Sequence, residues 1–208
     1  MPRRWVFIDL GVKRGDTLDI AVAQFPECEL YIGFEPVPRL FRTATTHFSG
    51  YTERIEIYNC AVDVFDDFPK EVKMYVDQNP DPKAGGGSTL LEGKTTGDLQ
   101  PEVVACVDIG RFLADHTKRT DRIILKINIE GKEYDLLEGM LDRNLLRQVE
   151  AIYCAWHWGR INSLDKKRHD DLLLRLRGYG FPLTGNDNDD EFLRLAAKDR
   201  LREKFRNG

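Results

Sequence analysis

Acidic residues that close apolar runs are the first candidates for chemistry in this chain. The run Trp5-Val-Phe-Ile-Asp-Leu10 stops at Gly11, and from Asp9 the spacing is Asp-x-Gly-x-x-x-Gly, through Lys13 to Gly15 and Asp16. Glycines in such a turn let backbone pass close to a ligand, and the helix that follows points amide groups at a carboxylate or phosphate. A second run, Leu30 to Phe34, closes on Glu35 and Pro36. An acidic residue at the end of a second strand stands where it can accept hydrogen bonds from ribose hydroxyls. The alternative is plainer: a structural turn and a surface glutamate.

A further constellation lies in Leu125-Lys-Ile-Asn-Ile-Glu-Gly-Lys-Glu133. If the strand continues that far, Lys126, Asn128 and Glu130 share one side of it, because strand side chains alternate. Glu130-Gly131 then turns, and Glu133 opens a helix, where the helix dipole already favours a glutamate. Ala151 to Trp156 is another strand-like run, leading into His157 and Trp158. A carboxylate or imidazole can take the proton of a reacting hydroxyl. Glu130 and His157 are therefore the candidate bases, with Asn128 as a hydrogen-bonding partner of cofactor or substrate. His157 also reads as a packed strand-end histidine, and the Trp-His-Trp triplet as an aromatic wall for a sugar. The three-glycine fingerprint of dinucleotide sites is missing, so the Asp9–Gly15 turn with Glu35 favours S-adenosylmethionine over a nicotinamide cofactor.

These residues end strands, and the elements around them alternate. Strand-like runs at 5–10, 30–35, 55–61, 73–76, 103–107, 123–129 and 151–156 are separated by helical stretches at 16–25, 40–48, 108–116, 133–141 and from Ser163 to Gly178. That order predicts an α/β fold, a mostly parallel doubly wound sheet with ligands outside its carboxyl ends. Phe181–Thr184 and Glu191–Leu195 flank an Asn/Asp-rich turn and predict an antiparallel C-terminal hairpin. Residues 77–97 form a long Gly/Pro-rich loop, of the kind that covers a site or moves. Residues 198–208 are a charged tail.

Composition narrows the classes. The chain has 208 residues, 41% hydrophobic and 32% charged, which suits one domain spanning 1–208. Lys+Arg total 31 against 35 Asp+Glu, a formal charge of -4, so a nucleic-acid partner bound through phosphates is not expected. No apolar run reaches membrane-spanning length, and the opening Met1-Pro-Arg-Arg4 has no signal-peptide core behind it. The four cysteines, Cys28, Cys60, Cys106 and Cys154, are far apart. They predict reduced thiols and a cytoplasmic setting rather than zinc or disulfides. The acidic run Asn186–Glu191 lacks the glycine and closing glutamate of a calcium loop, so no metal site is expected.

Asp9-Leu-Gly11, Phe34-Glu-Pro36 and Lys126-Ile-Asn-Ile-Glu-Gly-Lys-Glu133, in that order, resemble the motifs of FkbM-type S-adenosylmethionine-dependent methyltransferases. The resemblance covers about Trp5 to His157 and departs at two positions: Lys13 stands where the family usually has Asn, and Asn128 where it has Asp. It implies a Rossmann-like class I methyltransferase fold and methyl transfer, most simply to a hydroxyl of a small molecule or sugar. Asp9, Leu10, Gly11, Lys13, Gly15 and Asp16 would then cradle the methionine end, with Asn128 beside them. Glu35 and Pro36 would hold the ribose, and Ala61 and Val62 would line the adenine. Asn128 cannot take a proton, so a cofactor-binding protein with altered catalysis is the alternative. With the first strand this close to residue 1, the 77–97 loop or a second copy of the chain is expected to complete the acceptor pocket.

Overall fold

The computed structural model describes residues 3–51, 53–66, 70–79, 87–92, 98–158, 161, 164–180 and 183–184. Six strands form one wholly parallel sheet: β3 (Ile55–Tyr58), β2 (Leu30–Phe34), β1 (Trp5–Leu10), β7 (Arg122–Ile127), β8 (Val149–Cys154) and β9 (Leu183–Thr184), in that spatial order. The order reverses between β1 and β7, which places a switch point at the carboxyl ends of those two strands. A smaller sheet of β4 (Ala61–Asp63), β6 (Leu99–Asp108) and β5 (Lys70–Asp77) stands beside it. There β5 and β6 are antiparallel and β4 joins β6 in parallel.

Alternation along the central strands builds two cores. Val6, Ile8 and Leu10 of β1 and Ile123, Leu125 and Ile127 of β7 face a cluster shared with α3 (Ile109–His116), α4 (Glu133–Asp142) and α5 (Lys166–Arg177). Phe7 and Ile124 face the other side, against α1 (Asp16–Gln24) and α2 (Pro38–His47), where Leu18, Ala21 and Ala44 are buried. Both faces of the central strands are covered, hence their near-continuous apolar sequence. A third cluster joins Val37 and Leu40 to Ala61, Met74, Val76 and Val104 of the small sheet.

Local signals account for most boundaries. Pro38 starts α2, and Asp108 caps α3 by accepting from the Arg111 amide. The N-cap of α5 is Asp165, accepting from Arg168 N; Ser163, the expected cap, lies outside the described residues.

Two expectations need revision. The run 55–61 is not one strand: it breaks at Asn59-Cys60, and the chain passes from the main sheet to the small one. Asn59 fixes the break, its Nδ2 donating to the carbonyls of Glu35 and Pro36. Next, β7 ends at Ile127, so Asn128 and Glu130 lie in the turn beyond it rather than along the strand with Lys126. Glu130 has φ +55, outside any extended conformation. Of the expected C-terminal hairpin, the first arm includes β9, which joins β8 in parallel. The second arm of the expected hairpin (191–195), the acidic turn 186–191 and the tail 198–208 lie outside the described residues.

Candidate functional site

The turn after β1 and the turn after β7 meet at the switch point. Gly11, at φ +91, sits so close to the β7 turn that a Cβ there would lie 2.1 Å from the Asn128 carbonyl oxygen. Only glycine fits such a contact. Gly11 and Val12 both donate their amides to Phe34 O, and Asn128 N donates to Leu10 O. The three strand ends are thus tied together by backbone.

Asp9 and Lys126 support this junction from below. They are cross-strand partners on the α1 side of the sheet, essentially buried, with Lys126 Nζ 2.8 Å from Asp9 Oδ1. Lys126 also donates to Gly11 O at 3.0 Å, and Thr17 Oγ1 of α1 donates to Asp9 Oδ2 at 2.8 Å. Lys126 at 2% and Asp9 at 0% exposure leave no surface for a ligand. Their bonds instead hold the glycine turn in place.

Above the junction opens a cleft at the carboxyl ends of β1, β2 and β7, the place where ligands sit in open α/β sheets. Of the residues expected to form a site, Leu10, Gly11, Lys13, Glu35, Pro36, Ala61, Val62, Asn128 and Glu130 line it. Asp9, Gly15, Asp16 and His157 do not. Gly15 is packed under Phe48, whose ring would be 2.6 Å from an added Cβ. Asp16 is exposed and pairs with Arg14. His157 is buried one layer behind Glu130, its Nε2 3.5 Å from Glu130 Oε2.

Glu35 is the acidic group set deepest in the cleft wall, 3% exposed. Its Oε2 accepts from the Lys13 amide at 2.8 Å and its Oε1 from the Val37 amide at 2.9 Å. Each carboxylate oxygen can accept a second bond, so two ligand hydroxyls can still be taken. Burial pushes its carboxyl up to about 7, against the opposing pull of those two amides. Beyond Glu35 the wall is apolar, with Leu40, Cys60, Ala61, Val62, Met74 and Leu90. Burial also pushes the Cys60 thiol up to about 11, which makes it a packing group rather than a thiolate nucleophile.

Glu130 occupies another stretch of the cleft wall, in its left-handed turn. Thr89 Oγ1 donates to its carbonyl at 2.7 Å, and Thr89 exchanges two backbone bonds with Tyr75 of β5. The segment 87–92 therefore straps the small sheet to the Glu130 turn and adds Ser88 and Leu90 to the lining. This segment belongs to the expected 77–97 loop, whose first residue, Asp77, ends β5; 80–86 and 93–97 lie outside the described residues. Lys132 also lines the cleft, with Nζ 2.7 Å from Asp135 and 3.1 Å from Asp63. Burial works against its charge, but these carboxylates outweigh it and hold the ammonium above its ordinary range.

The lining residues that sequence reasoning passed over are chiefly Leu40, Met74, Ser88, Leu90 and Lys132. Lys132 lay inside a motif already singled out. Met74, Ser88 and Leu90 arrive through the pairing of β5 with Thr89, which no local pattern announces.

A family model described as a Methyltransferase FkbM domain matches residues 9–183. Among solved structures, the crystal structure of Methyltransferase FkbM from Methylobacillus flagellatus KT is similar to this chain at 16% identity and a TM-score of 0.46, covering 86% of this chain. The match spans 38% of the length of that protein. No curated protein matches the chain in sequence.

Proposed function

The chain belongs to the FkbM methyltransferase family, and on that premise we propose that it transfers a methyl group from S-adenosylmethionine to a hydroxyl oxygen of a small molecule or sugar. The observation that carries this reading is Glu35: a buried carboxylate in the cleft wall, with acceptor capacity left over after its two backbone amides. A pair of vicinal ribose hydroxyls matches that capacity. The apolar wall of Leu40, Ala61, Val62 and Met74 suits a flat purine, and the backbone-tied turn at Gly11 lets the methionyl end approach closely.

When bound, S-adenosylmethionine supplies an electrophilic methyl group on a sulfonium. The chain's own part is alignment and proton removal, and orientation alone can supply several kcal/mol in such a displacement. Glu130 faces the cleft and takes the acceptor's proton as the new C–O bond forms. His157, behind it, does not reach the cleft and acts through Glu130. Lys132, neutralised by Asp63 and Asp135, fixes the turn without adding net charge.

No helix among the described residues is long and apolar enough to cross a membrane. The test is transfer of an isotopically labelled methyl group to a panel of sugars, phenols and hydroxy acids. Labelled product on a hydroxyl, lost in Glu130→Gln with cofactor affinity retained, supports the reading. Labelling only of nitrogen or carbon nucleophiles, or equal turnover in Glu130→Gln, overturns it.

A further inference from the structure

Behind the cleft, Glu133 makes more bonds than an ordinary first-turn helix glutamate needs. It is 0% exposed, and its carboxylate accepts three hydrogen bonds. Oε1 takes the His157 backbone amide at 2.9 Å and faces the His157 ring Nδ1 at 2.8 Å, while Oε2 takes the Gly131 amide at 2.8 Å. All three bonds go to the two segments that carry Glu130 and His157. The other ring nitrogen, Nε2, faces Glu130 Oε2 at 3.5 Å. The imidazole therefore stands between a carboxylate that the protein encloses and one that opens to the cleft.

Resting on the reading of Glu130 as the base, we propose that Glu133 is the positioning residue of this site: it holds His157 with Nδ1 protonated and Nε2 turned to Glu130, so that His157 receives the proton Glu130 removes from the acceptor. The acceptor O–H bond breaks as an O–H bond forms on Glu130. That bond breaks in turn as Nε2–H forms, and the resulting imidazolium lies between two carboxylates. Glu130 is ionised again; after product leaves, the Nε2–H bond breaks as an O–H bond forms on Glu130, which then gives the proton to solvent at the cleft. A distance of 3.5 Å is long for the transfer and shortens with a small rotation of the Glu130 side chain; catalytic hydrogen bonds commonly tighten only when ligands bind. Among the described residues, Glu133 from α4 and Glu130 from the turn after β7 are the charged groups placed against the ring nitrogens.

The test is nitrogen-15 NMR of the histidine rings in the whole chain, titrated without cofactor or acceptor. In wild type, Nδ1 of His157 should stay protonated while Nε2 titrates. Glu130→Gln should lower the pH at which Nε2 loses its proton by about one unit or more, since an opposite charge at ~4–6 Å has been removed. Glu133→Gln should lower it too and weaken the preference for the Nδ1–H form. An Nε2 midpoint unmoved by Glu130→Gln would mean that the ring and Glu130 are not coupled. That result, or a wild-type ring protonated at Nε2 and bare at Nδ1, overturns the proposal. If Glu133→Gln does not fold, wild type and Glu130→Gln still decide. Because no methyl transfer is involved, failure of the methyltransferase reading shows in the labelling assay and not here.

Discussion

Glu35→Gln is the substitution that most sharply separates a cofactor wall from an incidental buried acid. The carboxylate is 3% exposed, and burial raises its carboxyl from 4.5 to about 7. Because the folded value is raised, the protonated carboxyl's contribution to stability is full below the unfolded value. It is lost as pH climbs through about 7. Holding the charge above that pH costs on the order of 3 kcal/mol. A protein gains from such a cost only if the charge is used. Two ribose hydroxyls donating to an ionised acceptor are worth ~1.5–3 kcal/mol, about 10- to 150-fold in Kd. Titration calorimetry with S-adenosylhomocysteine at pH 6 and pH 8 reads both effects. Wild-type affinity should fall as pH drops below about 7, approaching tenfold per pH unit. Glu35→Gln should bind 10- to 150-fold more weakly at pH 8 and respond little to pH. Its stability between pH 5 and pH 8, from denaturant melts, should also vary less than that of wild type. Equal affinity of the two proteins at pH 8, or a wild-type affinity flat from pH 6 to 8, refutes the role given to Glu35.

Lys126→Met leaves Asp9 buried without its cation and should cost ~3–5 kcal/mol in urea unfolding; a loss below 1 kcal/mol would show that the pair is not what holds the glycine turn. Thr89→Val removes the bond to the Glu130 carbonyl and the one Thr89 Oγ1 accepts from Leu91 N. About 1 kcal/mol of stability per bond should go, with faster amide exchange at Leu91; unchanged exchange there would contradict the strap. Asn128→Asp adds a negative charge to a cleft that already holds Glu35 and Glu130, and should leave methyl transfer unchanged or lower. A gain in turnover, or a new dependence on divalent cations, would show that the wild-type Asn128 has dulled the enzyme.

Much of the parallel sheet was legible because its strands are buried on both faces and so carry continuous apolar runs, each punctuated by Gly, Pro or an acid. Glu35, Gly11 and Glu130 were found for that reason: each sits at a punctuation mark, and the switch point gathers punctuation marks. Alternation misled where the strand was shorter than its apolar run. Ile129 looks like a strand residue, but β7 stops at Ile127, and Glu130 reaches the cleft through a left-handed turn rather than through period-two geometry. Asp9 shows the complementary limit. Its position beside Gly11 suggests a ligand contact, yet cross-strand register sets it opposite Lys126, and the pair spends its charge inside the protein. Glu133 and His157 are 24 residues apart, so only the packing of α4 against the end of β8 could reveal their bond. The small sheet was legible as strands but not as a wall, because Met74 and Leu90 reach the cleft through long-range pairing.

The central claim, that this cleft is built for S-adenosylmethionine, is tested most directly by calorimetric titration of the wild-type chain at pH 8 with S-adenosylmethionine, S-adenosylhomocysteine and NAD in parallel. The first two should each bind at one site per chain, and NAD should not bind. Binding of NAD, or a flat titration with both S-adenosyl compounds, would contradict it.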